Sequence, residues 1–199
     1  MDKSAADFWE WFEQNHTVIE GVINGHQLDK RNAIIEALDQ HILSFGRIKW
    51  VIDQPDDRSF QFILSPNRDP ELWQITQEVI RQAPNIIGWR FLDALPANGN
   101  LQIEIYDDYM DTHTIDAHDW QPYVRKLSSG QWLFQLPQTA NKTDLDPENF
   151  MVAVHIALTN VLGEHGLMEQ VNKVEVKPVE AMDQKSKRIP MPEIKTLFT

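Results

Sequence analysis

The sequence predicts an α+β fold: a mostly antiparallel sheet of about six or seven strands, two helices packed on one face of it, and further helices added at the N-terminus. Three observations predict it. From Ser59 to Leu95 an alternating run, a helical run and a second alternating run follow one another. Short alternating runs bounded by turn residues recur on both sides of that stretch. A long helical pattern from Pro147 to Leu162 is apolar nearly all round, which places it across the sheet. One domain is expected over 1–180, with residues 1–46 helical and 181–199 a linker ending in a short docking helix.

In chain order, Ala5 to Gln14 carries Phe8, Trp11 and Phe12 on one helical face with Trp9 beside them. Leu28 to Phe45 is a second helix, with Ile34, Leu38, Ile42 and Phe45 on one face and Gly46 as its stop. Arg47 to Asp53 alternates as a strand, and Gln54-Pro55-Asp56-Asp57 turns it antiparallel into the next. There Phe60, Phe62 and Leu64 face one way, with Ile63 the exception. Asp69-Pro70-Glu71 opens a helix with a carboxylate cap and a proline at its first position. Leu72, Ile75, Val79, Ile80 and Ala83 form its apolar face, and Pro84 ends it. Trp89 and Phe91 restore the strand pattern, and after a Pro96–Asn100 turn Leu101, Ile103 and Ile105 repeat it. Pro122–Lys126 and Gln131–Leu136 flank Ser128-Ser129-Gly130 as a hairpin. Pro137–Asp146 reads as a surface loop, Val174 and Val176 as a last strand, and Met191, Ile194, Leu197 and Phe198 as the docking helix. No internal repeat is visible.

The 199 residues carry 30 acids against 18 bases and no cysteine. Disulfides, thiolate metal sites and cysteine nucleophiles are thereby excluded. A net charge of −12 argues against nucleic acid as a partner and favours a basic protein or cations. No apolar run spans a membrane and the first residues lack a signal-peptide pattern, so a cytoplasmic location with no membrane partner is expected. Neither GxGxxG nor GxxxxGK[ST] occurs, so no nucleotide cofactor is expected. Ser65 stands between strand and helix, but SPNRDP lacks the glycines of a nucleophile elbow, and no catalytic residue is assigned.

Two sets of candidate site residues remain. Asp107, Asp111, His113, Asp116 and His118 offer carboxylates and imidazoles within loop reach of a divalent metal, although their spacing matches no EF-hand and no HExxH helix. Trp9 and Trp11, with Glu164 and His165 between two glycines after the long helix, are candidate partner-binding residues. The aromatic helix is also compatible with a homo-oligomer contact.

The cluster FWEWF at Phe8–Phe12, Ala83-Pro84 followed by Gly88-Trp89, Asp119-Trp120 before a hairpin, and ALTNVLGEHGLM at Ala157–Met168 resemble bacterial proteins carrying a domain of unknown function. The resemblance spans most of the chain in order. It implies a bacterial, soluble α+β domain and supplies no activity and no catalytic residues. Two functional expectations follow: a non-enzymatic acidic protein-binding or regulatory module, or a metal-dependent hydrolase or metal-binding protein that uses residues 107–119.

Overall fold

The computed structural model describes residues 4–56, 59–106, 110–143 and 145–198. The chain is α+β, but its described strands form three sheets, of three, two and four strands, instead of one large sheet. It divides into two compact units, one up to Leu95 and one from Pro96.

In the first unit, helix α1 (Ala5–Ile23) opens on a capping box. The Ser4 hydroxyl accepts from the Asp7 N–H at 3.2 Å, and the Asp7 carboxylate accepts from the Ser4 N–H at 2.9 Å. The helix runs past Gln14 because Val18, Ile19 and Val22 continue its packed face. A 3₁₀ turn at Leu28–Lys30 precedes α2 (Arg31–Leu43). Strands β1 (Lys49–Asp56) and β2 (Ser59–Ser65) pair antiparallel, Trp50 opposite Leu64 and Ile52 opposite Phe62. β1 continues through Pro55, which the sequence marks as a turn. Its register shifts between Asp53 and Asp56 on the outer strand of the sheet, a place that tolerates a residue with no N–H to donate.

Helix α3 (Pro70–Arg81) is capped by Asp69, whose Oδ1 accepts from the Glu71 and Leu72 N–H groups at 2.9 and 3.3 Å. It carries the chain over to β3 (Trp89–Leu92), which lies parallel to β2 with Phe62 opposite Phe91. The core is largely aromatic. Phe62 meets Phe8 and Phe12 at ring-centroid distances of 5.7 and 5.2 Å, and Trp9 and Phe91 lie 4.8 Å apart.

The second unit begins with the hairpin of β4 (Gln102–Tyr106) and β5 (Thr112–Asp116). A second hairpin pairs β6 (Tyr123–Lys126) with β7 (Trp132–Pro137). Helix α4 (Pro147–Gln170) packs on β4, on β8 (Val171–Lys177) and on a 3₁₀ helix at Met191–Phe198. β8 runs parallel to β7, and the two-residue β9 (Lys187–Arg188) adds to β6, giving the order β8-β7-β6-β9. Ile103, Ile115, Trp120, Phe134, Phe150 and Val154 are among the side chains of its core. The expected docking helix is the 3₁₀ helix, with Met191 and Ile194 fully buried. α4 is long and apolar enough to cross a membrane by length and composition, yet 56% of its most apolar window is buried within the fold, as in a core helix.

Both units contain the same path: an antiparallel hairpin, a helix opened by Asp-Pro-Glu, and a strand parallel to the hairpin's second strand. Asp146 caps α4 as Asp69 caps α3, its Oδ1 accepting from Glu148 N–H at 2.8 Å and Asn149 N–H at 3.0 Å. The sequence hides this repeat because only the cap tripeptide is shared and apolar strand residues are interchangeable.

Across the β7–β8 pair, Glu175 sits opposite Gln135. Its carboxylate accepts from Lys173 Nζ at 2.6 Å, Lys177 Nζ at 2.7 Å and Gln135 Nε2 at 2.9 Å. These donors, Lys173 first, hold its pKa down at about 2, from an ordinary 4.5. A carboxylate depressed on folding stabilises the native state above its unfolded pKa, and this contribution is lost as pH falls from 4.5 toward 2. Glu175→Gln is therefore expected to cost about 1 kcal/mol at pH 7 and to flatten the acid side of the stability curve. Urea unfolding of both proteins at intervals across that range checks it, and parallel curves would refute it.

Candidate functional site

The alternation of β5 decides the fate of the metal candidates. His113 and Ile115 face one way and Asp116 the other, with His113 opposite Ile105 on β4. Asp111 precedes the strand and His118 follows it. Asp107 lies outside the described residues. Among the described residues, no three His, Asp or Glu side chains gather where they could hold a metal ion. The stretch is half strand, where the sequence suggests an open loop, because Thr112, Thr114 and Ile115 are β-branched and favour the pleated backbone.

Asp116 and His118 are brought together. Asp116 Oδ1 accepts from the His118 backbone N–H at 2.9 Å and from its ring Nδ1–H at 2.6 Å. The backbone bond first, then the ring, holds the Asp116 carboxyl below its ordinary range. His118 also lines a cavity of about 330 Å³ in the second unit, with Asn98, Leu101, Val161 and Lys195. An imidazole fixed by a carboxylate can take or give a proton at its other nitrogen. Among the described residues of the cavity wall no carboxylate or hydroxyl side chain joins it.

The partner-binding candidates separate into interior and surface. Trp9 is 4% exposed and its Nε1–H donates to the Val79 carbonyl at 2.7 Å, so it ties α1 to α3 within the core. Trp11 is half-buried, its ring 5.1 Å from His41. Glu164 is 2% exposed, whereas its neighbour His165 is exposed. Gly163 separates them from the rest of α4: its φ of 72° and ψ of 165° break the helix at one residue.

The surface feature that the sequence reading misses is on α3. Ile75, assigned above to the buried face, is 37% exposed, and Thr76 takes the fully buried place between Leu72 and Val79. A Thr76 hydroxyl that donates to the Trp73 and Asp93 carbonyls at 2.9 and 2.7 Å makes that burial favourable. Glu71, Ile75, Glu78 and Gln82 consequently share an exposed stripe at helical spacing. They border an open groove of about 840 Å³ whose other walls include Ala5, Phe45 and Val79. Among the described residues no Lys or Arg lines it, although Arg81, one residue from the wall, pairs with Glu78. That pairing, through the Arg81 hydrogen bond first, lowers the Glu78 pKa and keeps it ionised. The signal was present in the sequence as a second stripe, acid–apolar–acid, beside a buried stripe complete without Ile75.

Comparison with family models, with curated proteins and with solved structures finds no match for the chain.

Proposed function

We propose that the chain is an acidic protein-binding module of the bacterial cytoplasm whose α3 groove receives a basic, amphipathic segment of a partner protein. One observation carries the reading: an exposed isoleucine stands between Glu71 and the Arg81-paired Glu78 over an apolar floor, in a wall with no lysine or arginine among the described residues. Covering the 37% of this isoleucine that is exposed contributes up to about 1 kcal/mol. A segment with an apolar anchor flanked by lysine or arginine satisfies floor and rim together, in the manner of helix-in-groove recognition. The net charge of −12 would speed its encounter and make the affinity fall with salt. The bacterial part rests on the sequence resemblance and the cytoplasmic part on the separate sequence expectation stated above.

Selection of displayed peptides on the full chain tests it. The expected winners carry an apolar residue between basic ones, and Ile75→Asp or Glu71→Lys weakens them at least tenfold while far-UV circular dichroism shows the chain still folded at the assay temperature. No enrichment of basic amphipathic peptides, or equal binding by Ile75→Asp, would overturn the reading.

A further inference from the structure

The second unit concentrates positive charge in a chain that has little of it. Of 18 basic residues, five (Arg125, Lys126, Lys185, Lys187 and Arg188) lie on β6, on β9 or just before β9. The pairing of these two strands, Val124 opposite Lys187 and Tyr123 opposite Arg188, brings two short basic sequences 60 residues apart into one place. Between them is a cavity of about 250 Å³, walled by Arg125, Lys126, Lys185 and Lys187. Its apolar lining comes from Val124, Trp132, Ile189 and Leu197. No acid lines it.

The wall is built, not merely crowded. Asp183 accepts a salt bridge from Arg125 at 2.9 Å, and its backbone N–H donates to the buried Gln135 Oε1 at 3.0 Å. Asp183 Oδ1 in turn accepts from the Lys185 N–H at 2.9 Å, which closes the turn that presents Lys185. Lys126 Nζ lies over the Trp132 ring, 5.7 Å from its centroid, so that cation is directed across the cavity's aromatic wall. Asp183 balances Arg125, which leaves three lysines with no carboxylate among the described residues of the cavity wall.

We infer that this cavity is a binding site for a small organic phosphate, a phosphate monoester whose apolar or aromatic body rests on Trp132, Ile189 and Leu197 while Lys126, Lys185 and Lys187 take the phosphate. Three uncompensated cations exceed what one carboxylate neutralises, whereas a phosphate monoester carries about −1.5 to −2 near pH 7. The lysines are point charges suited to phosphate and need no bidentate geometry. Inorganic phosphate would leave the apolar lining unused. The volume falls below the ~300–1,000 Å³ typical of drug-sized ligands, which sets the occupant at metabolite size. A nucleic-acid strand would meet the remaining negative field of the chain; a small ligand meets only the local charge.

Calorimetric titration of the full chain at low ionic strength with phenyl phosphate tests the inference, with inorganic phosphate and benzoate as comparisons. Phenyl phosphate is expected to bind one to one and at least tenfold tighter than either. The double variant Lys185→Gln, Lys187→Gln should weaken it at least tenfold at unchanged Tm, both lysines being exposed. Trp132→Phe should remove the change in tryptophan emission that accompanies binding. Absence of saturable binding, equal affinity in the lysine variant, or inorganic phosphate as tight as phenyl phosphate would each overturn it.

Discussion

Phe62→Ala is expected to destabilise the first unit by about 3–5 kcal/mol, the range for emptying a buried phenylalanine site. Phe62 is fully buried on the middle strand of the three-stranded sheet, paired with Ile52 on one side and Phe91 on the other. Its ring meets those of Phe8, Trp9 and Phe12 at 5.7, 6.2 and 5.2 Å, so truncation removes edge and face contacts to three rings of α1 at once. Surrounding rings are too rigid to collapse into the space. Urea unfolding followed by tryptophan fluorescence measures the loss, and Phe62→Leu, which keeps most of the volume, should cost less than half as much. A loss below about 1 kcal/mol for the alanine variant would mean that the sheet face is not packed on α1 as described.

Local chemistry was the legible part of this fold. Asp69-Pro70 and Asp146-Pro147 announced two helix starts, and the alternation of Phe60, Phe62 and Leu64 announced the strand that receives the aromatic helix. Pairing was not legible, because a strand's alternation tells which face is apolar and says nothing of its neighbour. The two parallel pairs, β2–β3 and β7–β8, and the split into three sheets are therefore absent from the sequence reading. The two-residue β9 reads as linker for a related reason: Lys187 and Arg188 carry no apolar pattern, and only β6 makes them a strand.

The candidate sites divide along the same line. Trp9 and Glu164 carry the residue types of a partner surface, yet burial is a property of the assembled fold and withdraws both side chains from the surface. The acidic stretch attracts attention by composition, and strand alternation then directs His113 and Asp116 to opposite faces. The α3 groove shows in the sequence only as a second stripe beside the buried one, and the basic cavity only as two short basic stretches far apart in the chain. The groove depends on which of Ile75 and Thr76 is turned inward, and the cavity on a strand pair that joins distant lysines.

Gly163→Ala is expected to lower the stability of the second unit by about 1–3 kcal/mol, because φ 72° with ψ 165° is backbone that only glycine enters without strain. The sequence marks Gly163 as the end of the helix. In the fold it is a single-residue break, after which helical structure resumes and continues to Gln170. An alanine that forced Gly163 into helical dihedrals would carry residues 164–170 off along a straight α4. Buried Glu164 and Leu167 and the junction to β8 would all have to move. Gly166→Ala is the control. Gly166 has ordinary helical backbone, and an added Cβ would meet Leu162 Cβ at 3.2 Å, a tight contact offset by the roughly 1 kcal/mol that alanine gains over glycine in a helix. A clear loss for Gly163→Ala beside a small change for Gly166→Ala would locate the strain in the dihedrals of one residue. Equal losses would assign the effect to crowding, and the break in α4 would then lack the energetic role given to it.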